Sequence, residues 1–144
     1  MTDQQFKAKH DGKFIEYNND PYKNQCMDML YLYLKDVCGI DPRPYQGWGS
    51  AINLWNAAKN GKIKDFSKHF RLVKNGATNH PSKGNPIFWG FYLGVTGFAG
   101  HVAIDDASTS MTVASYDQNF PTKSPCHYQK HSYKGVQGWW EFIG

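Results

Sequence analysis

Cysteine is scarce: Cys26, Cys38 and Cys126 are the only three in 144 residues, far apart, with no C-x-x-C pair among them. An odd, dispersed set excludes a disulfide framework and a structural zinc site, and leaves at least one thiol free. No apolar run approaches the length needed to span a bilayer, so no membrane insertion is expected. The opening Met1-Thr2-Asp3-Gln4-Gln5 lacks the charged-then-apolar pattern of a signal peptide, and the chain is expected to be made and folded in a reducing cytoplasm. Basic residues exceed acidic ones only mildly, for a net charge of +4, and they are scattered, which gives no footing for nucleic acid. The length suits one domain, residues 1–144, with a core that needs no staples and a polar lead-in over residues 1–14, as a short helix or arm.

Rings are plentiful. Aromatic residues make up 16% of the chain, many in glycine-rich or polar contexts where they can line a groove as readily as fill a core. From Met27 the apolar residues Leu30, Tyr31, Leu34, Val37 and Cys38 recur at helical spacing, Met29 and Tyr33 widen the face, and Gly39 is placed to end the helix. That helix should be central, with Cys26 in its first turn, where unpaired N–H groups and the positive dipole end stabilise a thiolate. Ahead of it, Glu16 to Tyr22 is turn chemistry rich in side-chain oxygens. It reads as a loop capping the helix or as part of a calcium site completed by Asp28.

A second helix is predicted from Ser50, its N-cap, to about Asn60, stopped by Gly61, in a structural role. The connection Pro42 to Gly49 has no regular pattern, and its Tyr45 and Trp48 are candidates for a cleft wall. After Lys64 the pattern changes to short runs between turn residues, which is how an antiparallel sheet reads. The runs are Phe70 to Val73, Pro86 to Trp89, His101 to Ile104, Met111 to Tyr116, Cys126 to Ser132 and Val136 to Ile143. The glycine-rich Gly90 to Gly100 fits either a strand end with a loop or a distorted hairpin. Helices followed by about six mostly antiparallel strands predict an α+β domain.

A cysteine nucleophile needs a base, and the base needs a group that holds its tautomer. Of six histidines, His101 is best placed: Gly100 permits close backbone approach, and Val102-Ala103-Ile104 anchors it in a buried strand. Just past the following strand, Asp117 or Asn119 can accept the imidazole N–H, an alternative the residues leave open.

Gln25-Cys26-Met27-Asp28, Gly100-His101-Val102-Ala103-Ile104, Asp117-Gln118-Asn119 and Val136-Gln137-Gly138-Trp139-Trp140 resemble, in order and spacing, the marks of the CHAP family, the cysteine, histidine-dependent amidohydrolases/peptidases. Pro81 to Gly90 resembles the family's strand before the histidine, so the resemblance covers roughly residues 16–143. It implies a papain-like α+β fold and a peptidoglycan hydrolase of bacteriophage type, an N-acetylmuramoyl-L-alanine amidase or a cross-bridge endopeptidase. Such a protein is made in the host cytoplasm and acts on the cell wall as an endolysin or a virion-associated lysin. Cys26 then matches the nucleophile, His101 the general base and Asn119 the asparagine of an E-x-N segment, with Asp117 where glutamate is more usual.

Cys26 and Gln25 would form the oxyanion site, and Tyr22, Trp48 and Trp89 would meet substrate. The chemistry requires no cofactor. The metal the resemblance allows is a calcium ion on Asp20 and Asp28, although the acidic D-x-D pattern before the cysteine is missing. The expected partner is bacterial peptidoglycan, and the expected state a monomer. Other classes that fit the residues are a non-catalytic wall-binding or virion structural protein on a decayed CHAP fold, and a thiol protease acting on proteins.

Overall fold

The computed structural model describes residues 1–17, 25–90 and 99–144. The candidate residues Asp20 and Tyr22, most of the loop before Cys26, and residues 91–98 of the glycine-rich segment lie outside the described residues.

The N-terminal residues form helix α1 (Asp3–His10), opened by a reciprocal capping box in which the Thr2 hydroxyl accepts from Gln5 N and Gln5 Oε1 accepts from Thr2 N. Its buried Lys7 donates to Asp3 at 2.9 Å, to Asp106 Oδ1 at 3.3 Å and to the Asp105 carbonyl at 2.7 Å, which ties the helix to the sheet. Helix α2 (Cys26–Asp36) follows, with Met29, Leu30, Tyr33 and Leu34 buried, and Gly39 takes the left-handed conformation just beyond its end, at φ 67°. Helix α3 (Ala51–Lys59) has Ser50 as N-cap, its hydroxyl accepting from Asn53 N. The connection before it contains one 3-10 turn, Arg43–Tyr45, where no regular structure was expected. A one-turn helix α4 (Phe66–His69) leads into the sheet and had no signal in the periodicity, because four residues complete only one turn.

The six strands are β1 (Phe70–Lys74), β2 (Pro86–Trp89), β3 (His101–Asp105), β4 (Val113–Asp117), β5 (His127–His131) and β6 (Val136–Phe142), all antiparallel to their neighbours in the order β1-β6-β2-β3-β4-β5. The α+β expectation holds. Two strand starts differ from it. Met111 is 83% exposed, and the Thr109 hydroxyl accepts from the N–H groups of Met111 and Thr112, so a side-chain turn delays β4 to Val113. Cys126 exchanges backbone hydrogen bonds with Gly12 and Lys13 instead of joining β5.

Alternation along the strands divides the sheet. Phe88, Val102, Ile104, Tyr116 and Trp140 join the main core under the helices, whereas Ile87, Trp89, Ala103, Val113, Val136 and Trp139 form a smaller cluster of their own. Helix α2 packs on β3 and α3 on β2 and β3, so the two central strands lie beneath these two helices. Among the described residues no helix is long and apolar enough to cross a membrane.

Candidate active site

Cys26 is the first residue of α2, in the turn whose N–H groups lack helical partners. Gln25 precedes it in extended conformation, and its N–H donates to Asp28 Oδ2 at 2.9 Å. Asp28, 3% exposed, therefore closes the start of the helix and places a carboxylate at the positive end of its dipole.

The strand carrying the histidine is held from two sides. Gly100 has φ 71°, and a Cβ there would lie 2.3 Å from the Trp89 carbonyl oxygen and 2.6 Å from Ile52 Cγ1. Only glycine fits that left-handed, crowded position. Ile52 N, in the first turn of α3, donates to the Ala99 carbonyl at 3.1 Å. A helix that looked merely structural thus fixes the approach to His101.

Pairing of β3 with β4, Ile104 opposite Tyr116 and Asp105 opposite Ser115, carries the end of β4 back toward His101. There Asp117 Oδ2 lies 2.7 Å from His101 Nε2, with the carboxylate fully buried and the histidine 4% exposed. Of the two candidates, Asp117 is the one whose side chain lies on the imidazole. The Cys26 thiol is the other group that acts on the imidazole, within hydrogen-bonding reach of it. With Nε2 committed to Asp117, Nδ1 is the nitrogen left to face sulfur. Burial by itself would lower the pKa of His101, but the hydrogen bonds to Asp117 and Cys26 outweigh it and push it up to about 10. Burial would raise that of Asp117, yet the bonds from His101 and His131 hold it well below the usual carboxylate range.

Asn119 has a different task. Its φ is 63°, a conformation asparagine tolerates, and its Oδ1 accepts from Lys123 N at 2.7 Å. A backbone donor on Oδ1 fixes which way the amide points, so Nδ2 faces Gln25 and donates to its Oε1 at 3.1 Å. The Gln25 carboxamide is fixed in turn: its oxygen is engaged, and its NH2 points away from Asn119.

Two residues of this assembly went unrecognised in the sequence. Gln118, fully buried, accepts from Ile15 N at 2.6 Å and donates to the Ile15 carbonyl at 2.9 Å and the Gln25 carbonyl at 2.8 Å, so it joins the end of β4 to the residue before the thiol. His131 places Nε2 3.1 Å from Asp117 Oδ2. A signal for it existed in the i, i+2, i+4 alternation of His127, Gln129 and His131, which puts the three on one face of β5.

Of the rings expected at substrate, Trp48 is half-buried, its indole N–H donating to the Pro44 carbonyl at 3.1 Å. Trp89 is 1% exposed, its ring 5.3 Å from that of His101 and 5.1 Å from that of His131. It packs behind the imidazoles, with almost no surface to offer a substrate. Among the described residues no group of three or more His, Cys, Asp or Glu side chains is arranged to hold a metal, and Asp28 Oδ2 already accepts the Gln25 N–H. The described residues thus make no cation cage around Asp28.

No protein-family model matches the chain, and no curated protein sequence matches it. Solved structures do. The fold is similar to that of the wild-type endolysin LysIME-EF1, with a TM-score of 0.69 at 20% identity, covering 98% of this chain and 64% of that one. It is also similar to Ly7917, with a TM-score of 0.63 at 17% identity, covering 99% of this chain and 62% of that one. For Ly7917 with the hydrolyzing product of MDP the TM-score is 0.67 at 15% identity, again covering 99% of this chain and 62% of that one. The chain spans less than two thirds of the length of these structures.

Proposed function

We propose that the chain is a CHAP-type peptidoglycan hydrolase that cleaves an amide bond with Cys26 as nucleophile and His101 as base, in the manner of a phage endolysin. The observation that carries this reading is the continuous line from the thiol at the head of α2, through the His101 imidazole, to the buried Asp117 carboxylate. Its parts come from three separate elements, and each is held by neighbours that serve its placement. The similarity in fold to the endolysin LysIME-EF1, and to Ly7917, which has been seen with the hydrolyzing product of MDP, supports peptidoglycan as substrate.

In this mechanism the Cys26 thiolate, favoured by the helix N-terminus and the imidazolium, attacks the amide carbonyl carbon. The oxyanion is met by the Cys26 backbone N–H and by the Gln25 NH2, which Asn119 has turned in a fixed direction. His101 Nδ1–H gives its proton to the leaving amine as the C–N bond breaks, leaving a thioester on Cys26. Water then attacks the thioester carbonyl, losing its proton to Nδ1, and the thiolate leaves with the acid product. Asp117 keeps Nε2 protonated throughout.

The bond cut is the muramoyl-alanine amide or a cross-bridge peptide bond, and mass spectrometry of fragments released from purified Gram-positive walls identifies which. Cys26→Ala and His101→Ala are each expected to abolish solubilisation of those walls with the fold intact by circular dichroism. Full activity in either variant overturns the proposal.

A further inference from the structure

Asp117 accepts more than one catalytic histidine needs. His101 Nε2 and His131 Nε2 both lie on Oδ2, at 2.7 and 3.1 Å, and the Ser115 hydroxyl donates to Oδ1 at 2.5 Å. An ionised carboxylate only accepts, so the ring nitrogen of His131 that faces it carries the hydrogen. The two imidazoles also share their aromatic neighbours. Trp89 lies 5.3 Å from the ring of His101 and 5.1 Å from that of His131, and Phe120 lies 5.1 and 5.4 Å from them. His131 reaches this point from β5, the edge strand beyond β4.

We infer that His131 is a positioning residue: its Nε2–H on Asp117 Oδ2, opposed by Ser115 on Oδ1, stops the carboxylate from turning and so holds His101 with Nδ1 aimed at Cys26. This rests on the reading of Cys26 and His101 as the reacting pair. With His101 as the one donor on Oδ2, that end of the carboxylate can shift together with the imidazole while Ser115 holds only Oδ1. A second donor on Oδ2, carried by a different strand, fixes that oxygen independently of His101. Aiming matters because a misplacement of about 1 Å at reacting atoms costs on the order of 100-fold in rate.

Two substitutions separate the hydrogen bond from the packing. His131→Phe keeps a flat ring beside Trp89 and Phe120 and removes the donor. His131→Gln keeps an N–H donor at nearly the same reach and removes the ring. Rates of solubilisation over a range of wall concentrations are measured, together with the rate of Cys26 carbamidomethylation at neutral pH. For His131→Phe, kcat and the alkylation rate are expected to fall about ten-fold or more with KM unchanged, whereas His131→Gln stays close to the unaltered protein. Unchanged rates in His131→Phe, or equal losses in both variants, overturn the inference.

Should the Phe variant not fold, the 15N spectrum of the unaltered protein decides. A hydrogen-bonded proton on His131 Nε2 is expected, and a His131 with its only proton on Nδ1 overturns the inference. The unaltered protein and Cys26→Ala run alongside. If the first fails to release wall fragments or the second still does, the hydrolase reading has failed; if both behave and His131→Phe is fully active, this inference alone has failed.

Discussion

Helix α2 has a cysteine at its head and another just past its end, and the two are chemically opposite. Cys26 meets an imidazole and the N–H groups of a helix start. Cys38 sits beyond the C-terminus among the carbonyl ends, where burial pushes its thiol up to about 12, with Asp3 adding to the rise. Cys126 is likewise raised to about 12, by burial and then by Asp11. In the proposed mechanism the same side chain is reactive or inert according to the strand that reaches it. His101 arrives at one end of the helix, and burial and the Asp3 carboxylate act on the thiol at the other.

Alkylation puts the largest number on that contrast. At neutral pH iodoacetamide is expected to modify Cys26 at least about 1000-fold faster than Cys38 or Cys126, since only a thiolate reacts. Peptide mapping after brief treatment reads this directly, and equal labelling of Cys38 erases the distinction. Next, Asp117→Asn should reduce wall lysis by about 100-fold or more, because the amide no longer forces the proton onto His101 Nε2. Melting temperature separates that loss from unfolding.

Alkaline pH tests the same pair without mutation. Because the folded pKa of His101 lies above the ordinary 6.5, the stability its protonated form contributes is complete below about 6.5 and lost as pH rises through about 10. Activity above pH 10 should then fall about ten-fold per unit, as the acid that protonates the leaving amine disappears. A flat rate profile to pH 11 contradicts the pairing. The last effect concerns the support of the site. Gly100→Ala, with its Cβ driven against the Trp89 carbonyl at φ 71°, should cost about 2–4 kcal/mol in urea unfolding.

Much of this was legible in local pattern. Helical spacing from Met27 and the short apolar runs after Lys64 put α2 and all six strands close to where they lie, and Cys26 and His101 can be picked out as candidates by their neighbours. The errors have local causes. Thr109 captures two N–H groups and delays β4, and a single turn such as Phe66–His69 leaves no period to read. Trp89, expected at the substrate, is turned inward by the pairing of β2 with β3.

The choice between Asp117 and Asn119 was beyond reach for another reason. Two short polar acceptors two residues apart look alike until a register and a left-handed φ send one to the imidazole and the other to Gln25. Gln118 was further out of sight, since its partners lie far along the chain, and His131 meets Asp117 only through the pairing of β4 with β5.

By itself the sequence determined the helix that presents the thiol, the glycine that lets the histidine strand pass close to Trp89 and Ile52, and the α+β class. These depend on hydrophobic period and on the conformational range of single residues, which act over a few neighbours. The tertiary structure decided which side chain lies on His101, which way the Gln25 amide points and that a second histidine shares Asp117. Those outcomes follow from strand register and from the need of buried polar atoms for partners, and neither exists until the sheet has closed over the helix.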